Sequence, residues 1–118
     1  MNVNKIMKTL RVFASERDWE KFHSPKNLAM ALSVEASELV EIFQWLSEEE
    51  SELSNLDDAN LDRAKEEIAD ILIYLIRLSD ELKIDLESAV KNKLSINEAK
   101  YPVESSKGSS LKYNRKQV

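Results

Sequence analysis

"AKEEIADILIYLIRLSDEL", residues 64–82, reads as a helix too apolar for one face of a small protein to cover. Ala64, Ile68, Ile71, Leu75, Leu78 and Leu82 recur at helical spacing and form a narrow stripe. Ile73 lies opposite that stripe, and Leu72 and Ile76 lie to one side of it. At about 100° per residue, the middle of the helix is therefore apolar nearly all round. Such a helix needs neighbours on several sides. A helical bundle that also self-associates supplies them, so a homodimer or a dimer of dimers is expected; the alternative is a central helix wrapped by the other three.

The rest of the chain agrees with an all-α fold. It has 118 residues, which suits one domain, with 42% apolar and 33% charged side chains. There is one Gly and there are two Pro, too few breakers for a strand-and-turn protein. Four helices are predicted. The first covers about Val3 to Asp18. The second starts behind Ser24-Pro25, where Ser can cap and Pro suits the first helical position, and runs to about Leu46. The polar, acidic segment 47–60 is most simply a loop. The third helix begins near Asp57 or Asn60 and continues to about Lys83; Asp85 caps a fourth that reaches about Lys100, and Pro102 stops it. Residues 1–102 are thus expected to form a single four-helix bundle. Residues 103–118 are expected to be a loop or tail, available to close over a site.

Charge and composition remove several functions. The net charge is -5, from 22 acidic and 17 basic residues, which argues against a general nucleic-acid binder. Without cysteine there is no disulfide, thiolate metal site or cysteine nucleophile. The N-terminus has no signal-like apolar stretch, and the run in 68–76 is short and broken by Asp70, so no membrane span is expected. A soluble cytoplasmic protein is the expectation.

The second helix carries an anomaly. Its stripe runs through Leu28, Leu32, Leu39 and Ile42, yet Glu35 falls inside it. Glu38 follows one turn on, and in the third helix Glu67 and Asp70 repeat the i, i+3 spacing, which places each pair on one face. Acid pairs alone mean little, and Glu48, Glu49, Glu50 and Glu52 suit a solvated surface. Glu35 and Asp70 differ because their neighbours are apolar. A buried carboxylate is costly unless it is paired, protonated or bound to metal. Segments 28–43 and 67–76 contain no Lys or Arg, so a salt-bridge partner would have to come from elsewhere. A divalent cation relieves the repulsion, and an all-oxygen donor set suits Mg²⁺, with Mn²⁺ possible. Mg²⁺ on such a shelf takes phosphate oxygens and activates water, which points to a phosphate hydrolase. A di-iron bundle would need Glu-x-x-His motifs, and the single histidine, His23, lies in a predicted loop.

"VEASE" (34–38) and "EEIAD" (66–70) resemble the paired Glu-x-x-Glu and Glu-x-x-Asp motifs of the MazG-like, all-α nucleoside triphosphate pyrophosphohydrolases. "FASERDWEKFHSPKNL", "ELVEIFQW", "EEIADILIYLIRL" and "KYPVESSKGSSLKY" are similar to the dCTP pyrophosphatase-like branch. The resemblance covers most of the chain and is weakest in 47–63 and at the termini. It implies Mg²⁺-dependent conversion of a (d)NTP, such as dCTP or a modified analogue, to the monophosphate and pyrophosphate. It implies metal ligation by Glu35, Glu38, Glu67 and Asp70, with Glu38 and Glu35 catalytic. It implies base contacts from Trp19, His23 and Trp45. Lys93, Asn97, Lys100 and Tyr101 are candidates for the outer phosphates, and Lys107 and Lys112 lie in the tail. Many members begin the first motif with two adjacent Glu; here the first of those positions is Val34, and Glu41 is the nearest substitute acid. The alternative is a non-catalytic helical oligomer that binds a nucleotide or a protein, which would not need four converging acids.

Overall fold

The computed structural model describes residues 1–112 and is all-helical over them. The part of the expected tail beyond residue 112 lies outside the described residues. Four long helices appear where the sequence placed them: α1 (Val3–Glu16), α2 (Pro25–Phe43), α3 (Asp58–Glu81) and α4 (Leu86–Lys100). Two short elements add to them, a 3₁₀ turn at Glu20–Phe22 and the one-turn α5 (Val103–Ser106).

Local chemistry explains each start. Asn2, Ser24, Asp57 and Asp85 sit in extended conformation and accept from the amides of Lys5, Asn27, Asn60 and Ser88 at 3.0, 3.1, 2.7 and 3.1 Å. Each bond satisfies one otherwise orphaned N–H of a first turn. The acidic loop is ordered by the same logic. Ser47 N donates to Glu50 Oε1 at 2.9 Å and Glu50 N to Ser47 Oγ at 3.1 Å, a reciprocal capping pair.

The chain divides into two compact units, Met1–Lys83 and the remainder from Ile84. In the first unit α3 is the shared centre: α2 packs along it and α1 packs against it. Ala14, Leu28, Ile42, Ala64 and Ile76 are the buried apolar residues. The second unit contains α4 and α5, and no residue of α4 is buried.

The core uses only part of the stripe that the periodicity of α3 singled out. Ala64 is buried and Ile71 and Leu78 are half-buried, but Ile68, Leu75 and Leu82 are exposed, Ile68 by 57%. The buried positions of α3 are Ala64, Ile76, Arg77 and Ser79, which lie on several sides of the helix. The most apolar line of α3 is left uncovered in the single chain. No helix of the described residues is long and apolar enough to cross a membrane.

Candidate active site

The α2–α3 packing brings the two acid pairs together. Glu35 and Glu38 come from α2, and Glu67 and Asp70 from α3; all four are half-buried. One carboxylate oxygen from each of Glu35, Glu38 and Glu67 lies within 4.8 Å of the others. Asp70 stands outside that tight trio but close enough for its charge to act on Glu35.

The trio is short of donors. Glu35 Oε2 and Glu67 Oε2 are buried and have no hydrogen-bond partner. Among the described residues of the first unit, no Lys or Arg forms an ion pair with any of the four acids. Ionised carboxylates only accept, so Glu35 and Glu67 cannot satisfy one another without a proton or a cation between them. The Glu35 carboxyl is accordingly pushed up to about 7 from 4.5. The first cause is the proton-sharing contact with Glu67; burial, the Glu38 contact and the charges of Glu38 and Asp70 follow. The Tyr74 hydroxyl is also raised, by burial first and then by Glu35 and Asp70. Three convergent carboxylates, two of which carry an orphaned buried oxygen, with no thiol or imidazole among them, fit a hard divalent cation.

Two of the three aromatic candidates, Trp19 and His23, are neighbours. α1 is capped by Arg17, and Asp18 takes a positive φ of 55°, which turns the chain so that Trp19 N donates back to Ala14 O at 2.9 Å. Asp tolerates that left-handed position. Trp19 then meets Phe13 edge-on at 5.7 Å and His23 at 6.3 Å. Trp45, just beyond α2, is 87% exposed. Lys93 and Asn97 lie on α4, Lys100 is its last residue and Tyr101 its C-cap, all in the second unit.

Sequence reasoning missed one cluster. Arg77 is 4% exposed and lies two turns beyond Asp70. It forms no ion pair with Glu35, Glu38, Glu67 or Asp70. Its guanidinium bonds Asp80 and Glu81 at 3.4 and 3.0 Å, and Arg11 of α1 bonds Asp80 at 2.7 Å from its Nε. This pairing holds the Asp80 carboxyl below its usual range, the Arg11 bond being the largest cause. The detectable signal was a lone Arg at the end of an apolar run. A cleft of about 480 Å³ opens beside this cluster, lined by Arg11, Arg77 and Lys83 against Glu20, Asp80 and Glu81. Its charges balance, and Arg11, Arg77, Asp80 and Glu81 pair with one another, with only Arg77 Nε buried without a partner among the described residues. The two orphaned carboxylate oxygens on the α2–α3 face make the better reactive centre.

A helical scaffold that presents paired acids from two packed helices defines the class, and the sequence comparison agrees: residues 30–115 match the MazG-like family. The chain belongs to that family. It is 46% identical over 101 residues to dCTP pyrophosphatase 1 of Bos taurus, and 43% identical to that of Homo sapiens. Both matches cover 86% of this chain but only 60% and 59% of the relatives, so the chain spans about three fifths of their length. A crystal structure of a pyrophosphatase from Archaeoglobus fulgidus superposes with a TM-score of 0.77 at 44% identity, covering 84% of this chain and 91% of the other.

Proposed function

We propose that the protein is a nucleoside triphosphate pyrophosphohydrolase. It converts a (d)NTP, with dCTP or a modified analogue preferred, to the monophosphate and pyrophosphate as nucleotide-pool housekeeping in the cytoplasm. The observation that carries this reading is the Glu35–Glu38–Glu67 trio with its two orphaned buried oxygens, in a chain so similar to pyrophosphatases of this type.

In this reading Glu35, Glu38, Glu67 and Asp70 hold Mg²⁺. When bound, the ion neutralises phosphate charge and lowers the pKa of water. Glu38 accepts a proton from the attacking water. The water oxygen forms a new P–O bond to one of the two phosphorus atoms flanking the α–β bridge as that atom's bond to the bridging oxygen breaks, giving monophosphate and pyrophosphate. The Glu35 carboxyl, pushed up to about 7, would have to be deprotonated to hold the cation. Trp19 and Trp45 offer flat faces for stacking the base, and His23 a polar edge. Lys93, Asn97, Lys100 and Tyr101 bind the outer phosphates. The working species is a homodimer or a dimer of dimers, for which the uncovered Ile68–Leu75–Leu82 line is the support.

The test is pyrophosphate release from a panel of dNTPs and NTPs, with and without Mg²⁺, for wild type and Glu38→Gln. Release that requires Mg²⁺ and disappears in Glu38→Gln is expected. Folded, metal-loaded wild type that releases nothing from any nucleotide would refute the reading.

A further inference from the structure

Buried Arg77 touches the chain's one histidine, and the proposed chemistry does not use that contact. Nη2 of Arg77 lies 3.3 Å from Nδ1 of His23, 54 residues away in sequence. The guanidinium is not free to turn. The same Nη2 donates to Glu81 Oε1 at 3.0 Å, Nη1 donates to Asp80 Oδ2 at 3.4 Å, and Asp80 is anchored by Arg11. A guanidinium has five donors and no acceptor. The His23 nitrogen facing it must therefore carry the lone pair, and the ring proton must sit on the far nitrogen, Nε2. An imidazolium here would set N–H against N–H beside a full positive charge.

The surroundings agree. His23 is faced by Arg77 and Glu81 from α3 and by the Trp19 ring from the turn before it. Burial lowers its pKa most, Arg77 lowers it further, and Glu81 acts in the opposite direction.

We propose that Arg77 is a positioning residue that locks His23 as the neutral Nε2–H tautomer, so that the edge His23 offers to a bound base is a hydrogen-bond donor. The second half rests on the reading of His23 as a base contact. A fixed N–H donor favours a base edge that presents a carbonyl oxygen or an unprotonated ring nitrogen and disfavours one that presents an exocyclic amine. Selectivity would then come from leaving the wrong group unpaired.

A single histidine makes the first half directly measurable. Long-range proton–nitrogen NMR of the nucleotide-free wild type at pH 7.5 should show a pyridine-like Nδ1 and a pyrrole-like Nε2 in one neutral form. Arg77→Met should give a mixture of tautomers and a higher titration midpoint. If Arg77→Met does not fold, Arg77→Met/Asp80→Leu replaces the pair with apolar bulk and should show the same mixture. The opposite tautomer or an imidazolium in wild type, or an unchanged tautomer in the folded variant, would overturn the proposal. For the second half, Arg77→Met should raise KM for the best nucleotide about tenfold while kcat changes little, as losing one aligned hydrogen bond implies. An unchanged KM alongside mixed tautomers would sink the base-facing half. Absence of any hydrolysis by wild type refutes the functional reading instead, and the tautomer measurement stands apart from it.

Discussion

Glu35 and Glu67 face each other between α2 and α3, each with a buried Oε2 that no donor reaches. Two such groups repel when both are ionised, and the folded chain bears that cost until something positive lies between them. Glu35→Gln removes one charge and adds a donor. The metal-free variant should melt at or above the wild-type temperature, and Mg²⁺ should no longer raise its melting temperature. Calorimetric scans with and without Mg²⁺ check both points; a Mg²⁺-induced rise equal to that of wild type would remove Glu35 from the metal site.

The same pair sets a pH dependence. The folded-state pKa of Glu35, about 7, exceeds its ordinary 4.5, so the folded protein holds this proton more tightly than the unfolded chain does. Its stabilising contribution is complete below about pH 4.5 and is lost as pH rises through about 7. His23 acts in the opposite sense, because its lowered pKa makes stability rise with pH up to its ordinary 6.5. The difference between wild type and Glu35→Gln isolates the carboxyl. Metal-free wild type should lose stability relative to Glu35→Gln between pH 5 and 7.5, and Mg²⁺ should restore it at the upper end only. Parallel urea titrations across that range would show it.

Asp80 is the hinge of a partly buried ion network. Asp80→Ala leaves the Arg77 guanidinium buried with one carboxylate fewer, and should cost about 3 kcal/mol. Arg11→Ala removes an exposed partner of the same carboxylate and should cost much less. Urea denaturation of the two variants measures the ordering; a larger loss for Arg11→Ala would contradict the burial argument.

Ile68 and Leu75 lie on the uncovered line of α3. Wild type should sediment as a dimer or tetramer, and Ile68→Glu/Leu75→Glu should shift it toward the monomer, because burying two carboxylates against an apolar partner is unfavourable. Analytical ultracentrifugation gives the mass. A monomeric wild type would leave the line without an occupant.

Trp45 packs against little, so Trp45→Ala should leave the melting temperature nearly unchanged while raising KM for the nucleotide. Its fluorescence should shift to the blue when nucleotide binds to wild type. A large stability loss with unaltered KM would assign the indole to packing between copies instead.

Much of this protein is written in local chemistry. The caps at Ser24, Asp57 and Asp85 act within one turn, so the starts of α2, α3 and α4 were legible from short stretches. The i, i+3 spacing of Glu35 with Glu38 and of Glu67 with Asp70 fixes which groups share a helix face before any packing is known. The misfit of Glu35 in an apolar stripe could also be seen in one dimension. What needed three dimensions is the register between helices. Only the way α2 lies along α3 sets Glu35 opposite Glu67 and leaves Asp70 outside the tight trio. In the sequence Arg77 follows an apolar run and nothing local marks it as buried. Its burial, its hold on Asp80 and its contact with His23 depend on where α1 and the turn after it settle against α3. Periodicity shows that a stripe through Ile68, Leu75 and Leu82 seeks a partner, but not which surface answers it. That depends on side-chain volumes meeting across helices, a property of pairs of segments and not of either one.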